Sequence, residues 1–334
     1  MSSLGDVILS TPVAKAIKEL EPDAFIGWLV EERNREVLEN NPFVDEIFTW
    51  DRTLKDFFPT LKHMRGFEWD ICLDIQGLFK SAVFCLLSGA RKRIALEEVE
   101  RGTRLFYHHL VPERPDKHAV ENYLLATYFS LFLDRHNSDE AIKLAGEKTK
   151  ERKEEFKPAV YLPEERTAGE LLGRDSPFVV FCPGTTWPSK RWLSERWAKV
   201  GDELGRAGYK IVFLGAKNDA EIVEKIRELM DLPSIDLTGK TSIKEAGVVL
   251  RDAKLVITVD SGAMHLATAV GATVLALFGP TNPIVQGPYC EQHRVIYKDL
   301  PCSPCRNRNC PHKECMRAIT WEEVLVLAKE LIDR

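Results

Sequence analysis

Short apolar runs alternate with stretches of helical character in the second half of the chain, and this alternation restricts the fold more than any other feature. Runs without polar alternation are typical of parallel strands that helices cover on both faces. The sequence therefore predicts a doubly wound α/β domain that a helix at 321–332 closes. Its strands are predicted at 178–182, 210–214, 255–259 and 273–278, and its helices near 194–206, 220–230, 243–251 and 263–270.

The first half repeats this alternation less regularly. Thr11 followed by Pro12 predicts a helix that the threonine caps and the proline begins. Residues 137–157, rich in Glu and Lys, are predicted to form a solvated helix or a connector. Further helices are predicted at 11–20, 32–40, 79–87 and 122–133, and strands at 24–30, 45–50 and 69–75.

The length of 334 residues favours two domains, which we place at 1–160 and 161–334. The net charge of -5 argues against nonspecific binding of nucleic acid, which needs a basic face. No apolar run approaches the roughly 20 residues of a membrane helix, and the first residues do not resemble a signal peptide. A cytoplasmic protein is therefore expected.

Chemistry in an open α/β sheet is expected in the loops that follow the strands. The loop at 2–10 places Gly5 and Asp6 just before the first predicted helix. Asp6 is either a general base or a carboxylate that only favours the positive end of that helix.

The loop at 183–191 joins small and hydroxylic residues to a cation. Backbone amides, Thr185 and Thr186 can donate to phosphate oxygens, and Lys190 supplies a point charge near the next helix start. This combination suits a diphosphate, whereas the alternative is an ordinary loop before a capped helix.

The loop at 260–265 follows a predicted strand and opens the next helix. Ser261 and Gly262 offer hydroxyl and amide donors to a phosphate, and His265 adds a further donor or a cation. A structural histidine is the alternative for His265.

Three familiar motifs do not occur in the sequence. There is no Gly-x-Gly-x-x-Gly after a strand, no Gly-x-x-x-x-Gly-Lys-Ser/Thr, and no Asp-x-Asp triplet. Hydride transfer and ATP hydrolysis are therefore disfavoured, no cofactor is expected, and phosphate charge must be neutralised by the protein.

Several motifs, taken together and in order, resemble glycosyltransferase family nine, the ADP-heptose:lipopolysaccharide heptosyltransferases. The resemblance spans nearly the whole chain and is closest to heptosyltransferase II-like members, which have similar cysteines. The motifs are Ser2-Ser3-Leu4-Gly5-Asp6-Val7, Asp74-Ile75-Gln76-Gly77-Leu78-Phe79-Lys80-Ser81, Pro183-Gly184 with 187–192, Asp260-Ser261-Gly262 to His265, and Phe278-Gly279-Pro280-Thr281.

This resemblance implies a GT-B fold, in which two Rossmann-like domains face each other across a cleft. It implies an inverting, metal-independent transfer of heptose from ADP-heptose to the inner core of lipopolysaccharide. Asp6 matches the family's base, and Lys190 matches the lysine that offsets charge on the leaving diphosphate. The positions that match donor-binding residues are Thr185, Thr186, Asp219, Asp260, Ser261, Gly262 and His265.

The resemblance also implies a lipid A-core acceptor on the N-terminal domain and transient docking at the inner face of the cytoplasmic membrane. The inner core presents carboxylates and phosphates, so cationic and polar residues of that domain are candidates to bind it. These are Gln76, Lys80, Arg91, Lys92, Arg93 and His118, each of which is otherwise a surface residue.

One departure from the family concerns the start of the chain. Family members begin with a short apolar strand before the Ser-Leu-Gly-Asp stretch, whereas this sequence has essentially no strand between Met1 and that stretch. Either the start is placed too late or the first parallel sheet is damaged by the loss of a central strand.

Four of the eight cysteines, Cys302, Cys305, Cys310 and Cys315, crowd into one segment with His312. They form a weak candidate zinc site, because the second half lacks a Cys-x-x-Cys pair. A proline-rich loop with reduced or paired thiols is favoured, and no metal is expected.

Two other functions remain open at the level of the sequence. A nucleotide-sugar epimerase can share the GT-B fold but needs no separate acceptor, and the Ser-Leu-Gly-Asp loop speaks against it. A noncatalytic nucleotide-binding or metal-binding module is supported mainly by the cysteines and the missing strand.

Overall fold

The computed structural model describes residues 3–163, 166–173 and 176–333. The chain forms two compact units, Met1–Tyr161 and Leu162–Arg334, and both consist of parallel strands with helices. Within the described residues, no helix is both long enough and apolar enough to cross a membrane.

In residues 3–161, the structure describes five strands and six α-helices, with 3₁₀ turns at Glu32–Val37, Arg104–Phe106 and Lys153–Glu155. The strands are β1 (Gly27–Glu31), β2 (Glu46–Trp50), β3 (Ile71–Asp74), β4 (Lys92–Leu96) and β5 (His109–Val111). The helices are α1 (Leu4–Ser10), α2 (Pro12–Leu20), α3 (Leu54–Met64), α4 (Phe79–Leu87), α5 (Ala119–Phe132) and α6 (Ser138–Arg152).

The strands of this unit form two parallel sheets, β1-β2 and β3-β4-β5. A cavity of about 740 Å³ is lined by both β1 and β3 and by apolar side chains of the helices, including Val13 and Phe84. Among the described residues, β1 pairs only with β2, and β3 pairs only with β4. One edge of β1 and one edge of β3 therefore have no partner among the described strands. In the part of the first unit that the structure describes, the strands therefore form two small sheets.

The described strands of the second unit form a six-stranded sheet in the order β11-β10-β9-β6-β7-β8, with every pairing parallel. The strands are β6 (Phe178–Cys182), β7 (Lys210–Phe213), β8 (Ile235–Asp236), β9 (Leu255–Val259), β10 (Val274–Phe278) and β11 (His293–Tyr297). The helices are α7 (Ala168–Leu172), α8 (Ser194–Arg206), α9 (Ala220–Glu228), α10 (Ile243–Asp252), α11 (Gly262–Ala269), α12 (Pro283–Gln286), α13 (Glu314–Arg317) and α14 (Trp321–Ile332).

The core of the second unit lies where α8 and α14 cover the sheet. All residues of β6, β9 and β10 are buried, as expected from their uninterrupted apolar sequence. Trp197 of α8 is fully buried, and its ring lies 5.0 Å from that of Phe181 and 5.3 Å from that of Trp192. This packing fixes the sheet from which the adjacent loops project.

The start of the chain differs from the sequence prediction. The segment before Thr11, predicted as a loop, forms helix α1. Thr11 itself has helical dihedral angles and makes no side-chain cap, because its hydroxyl donates to the Ile8 carbonyl at 2.8 Å and accepts the Ala159 amide at 3.0 Å. The predicted threonine cap is therefore wrong.

Two other predicted helices are also corrected. The predicted helix at 32–40 is a 3₁₀ helix that ends at Val37. The segment at 137–157 is predicted as a solvated helix or a connector; it forms the helix α6, but α6 buries Ala141 and Ala145 and packs against α5. Small apolar residues at helical spacing bury this face without large side chains.

Asp202 on α8 supplies a test of the second unit's stability. Its carboxylate is 2% exposed and accepts the backbone amides of Asp231 and Leu232 at 3.0 Å. We expect Asp202→Ala to lower the free energy of unfolding by about 2–3 kcal/mol, because both amides lose their acceptor.

Chemical unfolding followed by circular dichroism measures this change. The control is Asp231→Ala, which removes an exposed carboxylate paired with Arg206 at 3.1 Å but leaves the backbone amide in place. It is expected to cost less than about 1 kcal/mol. Equal losses in the two variants would contradict the role of the buried carboxylate.

Candidate functional site

The candidate site of the second unit lies at the carboxyl edge of its sheet. The chain leaves β6, β7, β9 and β10 through turns at 183–191, 215–219, 260–261 and 279–282. These four strands are neighbours in the sheet and run parallel, so their turns emerge at one edge. This is the position at which ligands bind in open α/β sheets.

A buried ion pair joins two of these turns. Lys190 Nζ lies 2.6 Å from Asp260 Oδ2, and the side chains are only 12% and 7% exposed. The hydroxyl of Thr281 donates to the same carboxylate oxygen at 2.6 Å. Three turns are therefore bonded through one carboxylate, which holds the lysine ammonium at the sheet edge.

The two threonines of the first turn are placed differently. Thr185 is buried, and its hydroxyl donates to the Asp260 carbonyl at 3.3 Å, whereas Thr186 is exposed. The sequence predicts both Thr185 and Thr186 as hydrogen-bond donors to phosphate oxygens. In the structure, Thr185 fixes the turn and Thr186 faces solvent.

The third turn opens helix α11. Ser261 is its N-cap residue, and Gly262 is its first helical residue. The Ser261 hydroxyl lies 3.5 Å from that of Thr258 and makes no cap bond to the helix. His265 is buried in the first turn of the same helix. The predicted residues of this loop are thus gathered around one helix start.

Asp219 lies against Gly184, which connects the turn after β7 with the turn after β6. A Cβ atom built on Gly184 would lie 2.1 Å from Asp219 Cγ, so any larger residue there would overlap this carboxylate unless one of them shifts. The carboxylate accepts the Ala216 amide at 2.9 Å. Burial raises the pKa of Asp219, although the Ala216 amide and Arg191 oppose that shift.

Two residues of this edge were not identified from the sequence as site residues. Thr281 is one, although it belongs to a motif that carries the family resemblance. Trp187 is the other, and its ring centre lies 4.4 Å from Lys190 Nζ. The signal in the sequence that could have identified Trp187 is its position three residues before Lys190.

The carboxyl edge of the first unit has its own charged cluster around Glu31. This carboxylate is 2% exposed and lies 2.5 Å from Lys80 Nζ, 2.8 Å from Arg33 and 3.5 Å from Arg52. Burial alone would raise the pKa of Glu31, but Lys80, Arg33 and Arg52 together hold it below its ordinary value. Sequence reasoning found Lys80 but missed its partner.

Asp6 is the third residue of α1 and takes part in a capping box. Its carboxylate accepts the Ser3 amide at 3.2 Å and the Ser3 hydroxyl at 2.9 Å, and its side chain is exposed. Ser2, which begins the same motif, lies outside the described residues. The structure thus gives Asp6 a capping contact, and its role as a base stays a prediction.

The predicted acceptor residues do not form one cluster in the first unit. Gln76 and Lys80 follow the carboxyl end of β3, and His118 is buried as the N-cap of α5, where Nδ1 accepts the Val120 amide at 3.2 Å. Arg91 instead pairs with Asp70 at 3.1 Å just before β4 begins, and Lys92 pairs with Asp134.

Arg93 lies one residue further along β4 and donates to the Phe106 carbonyl at 2.7 Å. Arg91, Lys92 and Arg93 are therefore at the amino end of their strand, away from the edge where Lys80 lies. Their role toward an acceptor stays a prediction.

The cysteine cluster has mixed exposure. Cys302 and Cys305 are exposed, Cys310 is half-buried and Cys315 is buried, and all are free thiols. Burial raises the pKa of Cys315, and the nearby thiols of Cys305 and Cys302 add to that shift. Among the described residues, no three His, Cys, Asp or Glu side chains are arranged to hold a metal ion.

Comparison with known proteins gives one family match. The model of glycosyltransferase family 9 (heptosyltransferase) matches residues 59–316. Lipopolysaccharide heptosyltransferase 1 of Pseudomonas aeruginosa is 28% identical over 326 residues, which cover 93% of this chain and 86% of that protein.

Solved structures show the same fold. ADP-heptose lipopolysaccharide heptosyltransferase II of E. coli has a TM-score of 0.80 at 22% identity, covering 99% of this chain and 96% of that one. An E. coli heptosyltransferase solved with ADP has a TM-score of 0.70 at 22% identity, covering 99% and 98%. The predicted α/β fold class of GT-B type is confirmed by this likeness.

The contact between Gly184 and Asp219 predicts that a larger residue at position 184 lowers stability only while the Asp219 side chain is present. We expect Gly184→Ala to destabilise the second unit by about 1–3 kcal/mol, because the new methyl group overlaps the carboxylate. Combining it with Asp219→Ala should recover part of that loss, since the overlap is then relieved.

The free energies of unfolding of the two single variants and the double variant measure this coupling. Additive losses would contradict the contact. Gly208→Ala is a useful reference, because a Cβ there meets no atom within 4 Å and only the positive φ of 95° is strained.

Proposed function

The chain belongs to glycosyltransferase family 9, and we propose that it transfers heptose from ADP-heptose to the inner core of lipopolysaccharide, with inversion and without a metal ion. The observation that carries this proposal is the buried Lys190–Asp260 pair among four turns at one sheet edge. Such an edge suits a nucleoside diphosphate, because amide and hydroxyl donors converge on it around one lysine.

The second unit is the proposed donor domain. Lys190 binds the diphosphate and offsets the charge that develops on it as ADP leaves. Its ammonium has three donors, so it can keep Asp260 as a partner while it contacts phosphate. Further phosphate donors are Thr186, Ser261, the Gly262 amide and His265, with Thr185 and Asp260 holding their turns in place.

Asp219 is proposed to act near the nucleoside. It lies at the turn after β7, next to Gly184 of the phosphate-binding turn. Burial raises the pKa of this carboxyl, yet the Ala216 amide also binds it. A carboxylate at this place can accept hydrogen bonds from ribose hydroxyls.

The first unit is the proposed acceptor domain. In the transfer step, the Asp6 carboxylate takes the proton of an acceptor hydroxyl, and that oxygen forms a bond to the anomeric carbon. The bond between this carbon and the diphosphate oxygen breaks at the same time, and the electron pair leaves with ADP. Attack from the opposite face inverts the anomeric centre.

Cations of the first unit suit an acceptor that bears carboxylates and phosphates. Lys80 is held at the carboxyl edge by Glu31, which Arg33 and Arg52 also contact. Gln76 follows β3, as Lys80 does, and His118 caps α5 after β5, whereas Arg91 and Arg93 lie at the amino end of β4. The lipid anchor of the acceptor implies transient docking of the enzyme at the inner face of the cytoplasmic membrane.

The two alternative functions are not favoured. The family match describes sugar transfer rather than epimerisation, and it covers residues from both units. A noncatalytic module is equally disfavoured by a match to an enzyme family.

Transfer can be tested directly by incubating the protein with ADP-heptose and a set of truncated lipopolysaccharide acceptors, followed by mass analysis. One acceptor is expected to gain the mass of a heptose. Hydrolysis or epimerisation of ADP-heptose without that gain would overturn the proposed function.

The same reaction is expected to continue after divalent ions are chelated. The sequence has no Asp-x-Asp triplet to hold a metal against the diphosphate, and Lys190 is placed to supply the charge. Rates measured with and without EDTA should agree within about twofold on this mechanism. A strict requirement for added magnesium would reject it.

Replacement of Asp6 by Asn distinguishes a base from a helix cap. Asparagine keeps the size and an acceptor for Ser3, so the fold should survive while the rate of transfer falls by roughly a hundredfold or more. Initial rates with saturating ADP-heptose and acceptor measure this loss.

The matched control for Asp6→Asn is Asp56→Asn. Asp56 is also the third residue of its helix, α3, and it follows a threonine N-cap. This control should shift melting slightly and leave the rate nearly intact, because a carboxylate at a helix start contributes less than about 1 kcal/mol. If both variants transfer at similar rates, Asp6 is only a cap.

A further inference from the structure

The cysteine-bearing segment at 302–310 lies against the turns of the proposed donor site. Its backbone and one hydroxyl contact both the turn after β10 and the turn that carries Lys190. None of these contacts involves a thiol. They run from the Ser303 hydroxyl to the Gly279 carbonyl at 2.5 Å, from the Arg306 amide to the Pro280 carbonyl at 2.8 Å, and from the Ser189 amide to the Arg308 carbonyl at 3.2 Å.

The side chain of Arg308 extends this contact to Trp187. Its guanidinium carbon lies 4.7 Å from the centre of the Trp187 ring, and Lys190 Nζ lies 4.4 Å from the same centre. Tryptophan is the best aromatic partner for a cation, and a guanidinium stacks on it well. One half-buried ring therefore binds two cations from different parts of the chain.

We propose that Arg308 is a positioning residue that acts through Trp187 on Lys190. A lysine stem has many rotamers, and the Trp187 ring and Asp260 restrict them from two directions. Arg308 holds that ring in place while its own carbonyl holds Ser189, the residue next to Lys190. The cysteine-rich segment thereby forms a wall of the site.

The kinetic test rests on the proposed function, because it uses heptose transfer. Arg308→Ala is expected to lower kcat by about three- to tenfold and to change KM for ADP-heptose by less than about twofold, while Arg308→Lys keeps a cation at the ring and restores most of the rate. In a Lys190→Ala background, Arg308→Ala should cause no further loss, because its effect passes through Lys190.

A second measurement does not depend on transfer. The rate at which an N-hydroxysuccinimide ester acetylates Lys190, relative to Lys199 on α8, is read by mass spectrometry of peptides. Acetylation of Lys190 should rise about threefold or more in Arg308→Ala and stay unchanged in Arg308→Lys. The control is Arg294→Ala, which removes an exposed arginine of β11 that donates to the His293 carbonyl.

The two measurements distinguish a failure of the proposed function from a failure of the inference about Arg308. If the unaltered protein transfers no heptose, the proposed function fails, and acetylation still decides the role of Arg308. Equal acetylation of Lys190 in Arg308→Ala and Arg294→Ala would overturn the inference. Losses of kcat that simply multiply in the double variant would also overturn it.

Discussion

The parallel register between β6 and β9 determines where the residues of the donor side lie. Cys182 pairs with Thr258, so the turn after β6 and the turn after β9 begin side by side. Lys190 and Asp260 are 70 positions apart in sequence, yet this register brings them to 2.6 Å. Because both strands are completely buried, a slip in register would disturb the close packing on both faces of the sheet, and the sheet therefore fixes the ion pair.

Holding Lys190 through a buried ion pair has a cost in desolvation free energy. Removing two charges from water costs more than their attraction returns unless other bonds satisfy the carboxylate. Here Thr281 supplies such a bond, and Thr185 binds the carbonyl of the same aspartate. The arrangement is better explained by the need for a lysine of fixed geometry at the sheet edge than by a gain in stability.

The sequence predicted the second unit more completely than the first. The strands at 178–182 and 255–259 and the helices at 194–206 and 321–332 match the structure to the residue, since buried parallel strands have an unambiguous apolar signature. Because Lys190, Asp260 and Ser261 lie in loops that follow parallel strands, the sequence predicted that they would lie at the same edge of the sheet. The sequence could not predict which side chains bind each other, because these contacts depend on how the strands align in the folded sheet. Trp187, Thr281 and Glu31 were therefore missed.

Glu31 has a consequence for the behaviour of the first unit in acid. Its pKa in the folded protein lies below the ordinary value of 4.5, so its contribution to stability is present above that pH and is lost as the pH falls through the lower folded value. Protonation would leave Lys80, Arg33 and Arg52 facing one another without their shared counterion. In acid, the repulsion among these three cations would loosen the carboxyl edge of the first unit.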